Sequence, residues 1–445
     1  MFDVLIVGAG IVGASLACAL GDKHNPRNRN LKVGIIEARE DLLHGQFGVD
    51  GRASAIALGS SYIWQDIGVW DTMCRRGVTA MHSIQVSDGD YPHKVQLWRE
   101  DVGKEALGYI VENRVTQASL WEFIQACSNI ELICPASIKD INHFGSSESK
   151  QDLIGVQVSS AIGDRLLTAK LVVAADGGKS IVRQLAKIST VERLYDQTCI
   201  VVTVKPELPH QNVAYERFQS SGPFAILPLP GDRCCIVWTA TSAEAPGLMA
   251  LDEAEFMQEL SQRFGTHLGK LTLETRWTER ANYKPSWMHA QTYIQPRLAL
   301  IGDAAHTTHP VAGQGMNLGI RDVGALADIL LNAHHNGEDL GSMPVLRRYQ
   351  AWRRWDNFGV ITFTDWTNHL FSNQFFLFKL IRRIGLAIAA LQPFKQLLMY
   401  FMMGLVGQIS HICRIYQPSL SVSLESSDRF LVRMCYPTRG TSSLL

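Results

Sequence analysis

The chain has 445 residues, long enough for more than one domain-sized core. Hydrophobic residues make up 46% and charged residues 19%, a balance that excludes a disordered chain. Forty-two basic residues offset 42 acidic ones, which removes the electrostatic case for a nucleic-acid partner.

The chain opens on a short apolar run, Val4–Val7, which predicts a strand buried on both faces. Ile11–Leu20 has helical spacing, residues 24–30 read as a polar loop, and Val33–Ile36 is a second buried strand. The three form a βαβ unit and predict a parallel sheet. Between the first strand and the helix lies Gly8-Ala-Gly10-Ile-Val-Gly13, with the spacing of a dinucleotide-binding turn. Gly8 suits the tight turn, Gly10 lets backbone approach a pyrophosphate, and Gly13 lets helix and strand pack closely. The phosphates would face free N–H groups at the helix N-terminus. Glu37 ends the second strand 24 positions after Gly13, placed to accept ribose hydroxyls. This motif alone leaves NAD and FAD both open.

Asp50-Gly-Arg52 follows. Arg52 is suited to a pyrophosphate as a charged donor, and equally to an ordinary surface loop. A further buried strand, Leu171–Ala175, runs into Asp176-Gly-Gly-Lys-Ser and Arg183, which fits a ligand loop and a plain strand–helix turn alike. Segments 198–204, 213–218, 224–229 and 234–239 then predict an antiparallel sheet. On the second of these, alternation puts Tyr215 and Arg217 on one face. Asp252 and Glu255 form a capping box that opens a helix.

The segment with most chemical content is Gly302 to Gly319. Asp303 sits at a strand end, where open α/β sheets bind ligands, and suits a sugar-alcohol hydroxyl. Pro310 to Gly315, with Gly313 and Gln314 between, form a rigid, side-chain-poor turn into a helix from Met316, through Asn317, to Leu331. The positive end of that helix would favour negative charge in front of it. From Arg347 to about Ile415 the chain reads as helical, and Gln417–Leu445 as a loose, Ser-rich tail. Nine cysteines show neither CxxC nor a zinc-like Cys/His cluster, which predicts free thiols and no metal. No signal-peptide layout is present, and the longest apolar stretch, 384–406, is broken by Gln392, Pro393, Lys395 and Gln396. The sequence therefore predicts a cytoplasmic chain without a spanning helix.

In motif order, residues 1–410 resemble the FAD-dependent aromatic hydroxylases related to para-hydroxybenzoate hydroxylase. The segments Phe47–Ala53, Tyr215–Phe218, Gly222–Leu229 and His309–Gly319 look most like the branch acting in ubiquinone biosynthesis, in particular the 2-polyprenyl-6-methoxyphenol hydroxylases. The resemblance implies a Rossmann-like FAD-binding domain with a parallel sheet, an inserted antiparallel-sheet substrate domain and a helical C-terminal region. The corresponding parts are 1–78, 103–183 and 285–345 for FAD, 79–102 and 184–284 for substrate, 346–416 for the helices and 417–445 for the tail.

It also implies a monooxygenase that hydroxylates a polyprenylated phenol through the flavin C4a-hydroperoxide. O2 would be co-substrate, and NAD(P)H or a partner reductase the electron donor. Gly8, Gly10, Gly13 and Glu37 would hold the adenosine diphosphate, Arg52 the pyrophosphate and flavin region, and Gln117 the ribityl chain. Asp176 joins this cofactor set, Asp303 would hold the ribitol, and residues 313–317 would face the isoalloxazine. His306, Tyr215 and Arg217 are candidates to activate the phenol; His306 also fits a supporting role and Tyr215 a core position. The amphipathic stretch from Phe371 to Met403 fits a peripheral place on the inner membrane, or an oligomer or domain contact within a quinone-biosynthesis complex. The alternatives are an FAD-dependent dehydrogenase or a non-catalytic flavin-holding scaffold.

Overall fold

Short apolar runs near the N-terminus form the middle of a parallel sheet. The computed structural model describes residues 1–407 except 46, 48–50, 90, 92–93, 145–151, 161–162, 278–279, 374 and 390. Asp50, the end of the 346–416 helical region and the 417–445 tail lie outside the described residues.

Phe2–Val7 pairs in parallel with Val33–Ile36 on one side and Gly163–Ala174 on the other. Leu298–Leu300 and Ile130–Ile133 extend the sheet on either side, also in parallel, and Ile294–Gln295 pairs antiparallel beyond the first of them. The first strand is apolar throughout because both of its faces are covered: Val4, Leu5 and Ile6 are fully buried. The helix Ile11–Leu20 packs on this sheet with its expected bounds. Residues 24–30 depart from the expected loop, since Pro26–Asn30 winds into a short 3-10 turn. Its Asn28 side chain donates to the carbonyl of Gly21, which fastens the turn to the end of the helix.

A second large sheet is built from Ser83–Asp88, Val95–Trp98 and the strands between Gln197 and Tyr283. It is antiparallel as expected except at one pair: Val213–Gln219 runs parallel to Ser83–Asp88. One face of this sheet buries Ile200, Val202, Phe224, Ile226 and Trp238 beneath Phe256, Leu260 and Phe264 of the helix Glu253–Phe264. That helix opens on the predicted capping box, Asp252 accepting from the Glu255 N–H at 2.9 Å. The opposite face looks into a cavity.

Three helices, Met343–Ser372, Phe376–Ala389 and Phe394–Met402, follow the long helix Gln314–His335. Arg382 fixes the second of them to the second large sheet. It is buried, donates through Nε to Asp88 at 2.7 Å, and donates through Nη1 to the carbonyls of Phe371 and Asn373. Among the described residues no single helix is long and apolar enough to cross a membrane. Leu377–Ala389 and Phe394–Met402 together are, but they bend by 94° at their break.

Candidate flavin and substrate site

The carboxyl ends of the parallel strands converge on one point. Gly8 follows the first strand with φ +97°, and a Cβ there would lie 2.5 Å from the Ala175 carbonyl oxygen. A Cβ on Gly13 would lie 2.0 Å from the Gly8 carbonyl oxygen, so helix and turn pack in contact. Gly10 differs: it lines the cavity, and a Cβ there would meet nothing within 4 Å. No side chain caps the helix that begins after it. Glu37 stands at the end of the next strand, accepting from the N–H groups of Ala9 at 2.7 Å and Arg39 at 2.8 Å. Gln117, on the helix Asn113–Gln125, donates to the Ala9 carbonyl at 2.7 Å and also lines the cavity.

Arg52 and Asp303 face this same space. Protein walls enclosing Asp303 push its carboxyl above the usual range, and the charges of His306 and Arg52 oppose that rise. Asp303 is nevertheless open to the cavity, so a hydroxyl donor can reach it.

The turn Pro310–Gly313 leads into the long helix. Gly313 has φ +60° and lies so close to Ala55 that a Cβ would sit 2.9 Å from the Ala55 Cβ. Asn317 fixes this approach. Its Oδ1 accepts from the Ala57 N–H, and its Nδ2 donates to the carbonyls of Ala55 and Gly313, all at 2.8 Å. Pro310, Gly313, Gln314, Gly315, Met316 and Asn317 all line the cavity.

Among the sequence candidates, Glu37, Asp176, Arg217 and His306 are absent from the cavity wall. Asp176 is off the cavity wall; its Oδ2 accepts from the N–H groups of Ile181 and Val182. Arg183 straps the turn after it, donating to the carbonyls of Gly178 and Ala304. His306 is buried away from the cavity, its Nε2 2.6 Å from Asp322 Oδ2. Arg217 is absent from the cavity wall and donates to the carbonyl of Arg263 at 3.1 Å. Tyr215 touches the wall, but its ring turns away toward His267, with centroids 4.7 Å apart. Their shared strand face is thus the outer one, packed under the helix.

The intervening residue, Glu216, points the other way and lines the cavity. Burial pushes its carboxyl up to about 7. Sequence reading passed over it. The signal was available in the period of two: if Tyr215 and Arg217 serve the outer layer, Glu216 joins Ala214 and Phe218 on the inner face.

These inner-face residues line one continuous cavity with a volume of about 1310 Å³. It runs from Gly10, Gln117 and Asp303, past Gly313–Asn317, into an apolar end. There one wall is Ile84, Val86, Phe218 and Leu227 of the sheet. The other is Leu386, Ala389, Phe394, Met399 and Met402 of the last helices. It is larger than the ~300–1,000 Å³ typical of a site for one small ligand.

Residues 1–355 match the model of the FAD binding domain family. The chain belongs to the FAD-binding domain family. Ubiquinone hydroxylase UbiL of Rhodospirillum rubrum is 39% identical over 407 residues, covering 90% of this chain and 89% of that one. The 3-demethoxyubiquinol 3-hydroxylase of Escherichia coli is 34% identical over 388 residues, covering 87% and 94%. In fold, the chain is similar to the p-nitrophenol 4-monooxygenase PnpA of Pseudomonas putida DLL-E4. That likeness has a TM-score of 0.73 at 18% identity, over 92% of this chain and 99% of that one.

The residues present fit FAD. A helix start with no capping side chain opens on the cavity at Gly10, and the open space over Gly10 admits a pyrophosphate without displacing protein atoms. The enzyme is an FAD-dependent monooxygenase, with O2 as co-substrate and a reduced nicotinamide or a reductase as electron source.

Proposed function

We propose that this flavoprotein hydroxylates the aromatic ring of a polyprenylated phenol in ubiquinone biosynthesis. The observation that carries the reading is the continuity of one cavity from the strand ends to an apolar tunnel beneath the last helices. A phenol head alone does not need the tunnel; a head with a long isoprenoid tail does. The names of the relatives point to the same substrate class.

Bound FAD supplies the activation of dioxygen that the side chains here lack. The chain supplies position. Gly8 and Gly13 shape the turn, Gly10 faces the pyrophosphate, and Glu37, fixed by Ala9 and Arg39, takes the adenosine ribose. Arg52 serves the phosphate and flavin region, Gln117 and Asp303 the ribityl chain, and Pro310–Met316 the ring system. Asn317 acts by holding Gly313 against Ala55. The apolar walls exclude water from the reacting atoms.

The exposed face of the last two helices lies on a membrane surface. Phe375, Leu377, Phe378, Leu380, Ile381, Ile384, Leu391 and Leu397 are all exposed there. The sequence holds no acidic residue from 366 to 424, while Lys379 and Arg383 interrupt the apolar run. This composition suits an anionic lipid surface better than a second copy or a complex subunit.

The tunnel is tested by Ala389→Phe, which narrows it at its wall. KM for a long-tailed prenylphenol rises about tenfold, as for a loss of ~1.4 kcal/mol of binding, while KM for an unprenylated phenol stays unchanged. An equal effect on both substrates contradicts the tail assignment.

A further inference from the structure

Glu216 is a carboxylate set in an apolar roof. Its strand, Val213–Gln219, pairs so that Glu216 stands directly across from Ala225 on one side and Val86 on the other. Ala225 in turn stands opposite Val237, and Val237 opposite Val201. All four of these neighbours line the cavity as apolar side chains, and Glu216 is the acid among them. No hydrogen bond or ion pair ties Glu216 to any described residue, and burial alone accounts for the rise of its carboxyl. The other charged groups on the cavity wall are Arg39, Arg52, Arg114 and Asp303 toward the dinucleotide end, and Arg382, which is bonded to Asp88. Farther across the same sheet, Cys199 lies within electrostatic reach of Glu216 and stands opposite Tyr283, and burial holds the acidic protons of both on.

A carboxylate taken from water without a partner is costly, and the cost is offset only when a donor arrives. The phenolic O–H is the donor that the proposed substrate brings. The inference rests on the reading of the substrate as a phenol.

We propose that Glu216 is a catalytic residue that accepts the phenolic proton of the substrate. In the resting complex the phenol O–H donates to the Glu216 carboxylate. As the ring takes up oxygen, the phenolic O–H bond breaks and a carboxyl O–H bond forms on Glu216. The electron pair left on the phenol oxygen feeds the ring at its ortho and para carbons. The ring carbon that gains the hydroxyl loses its hydrogen as a proton when aromaticity returns, and that proton goes to the water formed from the second oxygen atom. The proton on Glu216 returns to the phenolic oxygen of the product on release, so no oxidant or reductant beyond those of the monooxygenase reaction is drawn on. A carboxyl poised near neutral pH is suited to this work.

The test uses the full-length, FAD-loaded oxidised protein, in wild-type, Glu216→Gln and Glu216→Asp forms, with a short-chain prenylphenol. Flavin spectrum and Tm establish that each variant is loaded and folded. Binding is measured without turnover from about pH 5.5 to about pH 9, a range that brackets the raised carboxyl. In the wild type Kd falls about tenfold as pH rises through the carboxyl titration, because an ionised acceptor makes the stronger hydrogen bond. In Glu216→Gln that dependence is lost and kcat drops about 10²- to 10⁴-fold. In Glu216→Asp a pH-dependent Kd and part of kcat return. A wild-type Kd that is flat in pH overturns the proposal, as does a Glu216→Gln variant that keeps the wild-type pH profile and rate. If Glu216→Gln does not load FAD, the wild-type Kd profile decides alone. A pH-linked binding of phenol without hydroxylated product would instead retain the Glu216 contact and refute the hydroxylase reading.

Discussion

Asp322 accepts the backbone N–H of Gly302 at 3.0 Å, and so ties the long helix to the strand end that presents Asp303. The same carboxylate takes Arg353 Nε at 2.9 Å, Asn357 Nδ2 at 2.9 Å and His306 Nε2 at 2.6 Å. His306 and Arg353 thereby serve the scaffold of the site from behind it. Burial by itself would raise the Asp322 carboxyl; the charges of His306 and Arg353 outweigh it and hold the group well below the usual carboxylate range.

Breaking this cluster by Asp322→Asn takes from the buried Arg353 one of its two carboxylates, leaving Asp356 at 2.9 Å, and costs about 3 kcal/mol of stability, read by denaturant unfolding at neutral pH. The acid limb follows from the sign of the shift. A carboxyl lowered in the folded state contributes fully above its unfolded value of about 4 and is lost as pH falls through its folded value. The wild type therefore loses stability more steeply below pH ~4 than Asp322→Asn does. Parallel acid slopes would contradict the assignment.

Gly10 and Gly13 belong to one motif but fail in different ways. Gly13→Ala drives a Cβ to within 2.0 Å of a backbone oxygen, so the flavin-free protein itself melts several degrees lower. Gly10→Ala meets open space and its backbone, φ −62°, is ordinary for alanine, so the flavin-free Tm stays near wild type. Its methyl group occupies the room of the pyrophosphate, and the Kd for FAD rises about tenfold or more. Thermal melts with and without FAD separate the two; a Gly10→Ala protein with wild-type FAD affinity would place the pyrophosphate elsewhere.

The contrast between these glycines shows what a sequence can carry. Local signals were legible because local geometry makes them: the strand of residues 4–7, the helix 11–20, the capping box at Asp252, and the turn at Gly313 were each readable in place. Facing was harder. Tyr215 and Arg217 share a face, as alternation demands, but which face meets the cavity depends on Glu253–Phe264 packing over the other one, a contact distant in sequence. His306 follows the same logic. Its neighbours Asp303 and Pro310 reach the cavity, and its own burial depends on Asp322 and Arg353. The tunnel is legible only as amphipathic helices; its opposite wall comes from strands far earlier in the chain.

The membrane contact proposed for the exposed face of the last two helices is open to direct measurement. The protein sediments with phosphatidylglycerol vesicles and less with phosphatidylcholine vesicles. Ile384→Asp with Phe378→Asp weakens that binding at least tenfold, because two exposed apolar contacts are lost and two charges oppose the anionic surface. The double variant keeps its flavin spectrum, since neither side chain lines the cavity. Unchanged sedimentation would assign the face to a protein partner instead.

The central claim is that one cavity holds FAD and a prenylated phenol so that oxygen passes to the ring. It is tested most directly by reducing the FAD-loaded protein anaerobically, adding isotopically labelled dioxygen and a short-chain prenylphenol, and weighing the product. The account predicts one labelled oxygen atom in a new ring hydroxyl, with none derived from water. Reduction of the flavin by the phenol itself under anaerobic conditions, with no labelled product after oxygen is admitted, would contradict it.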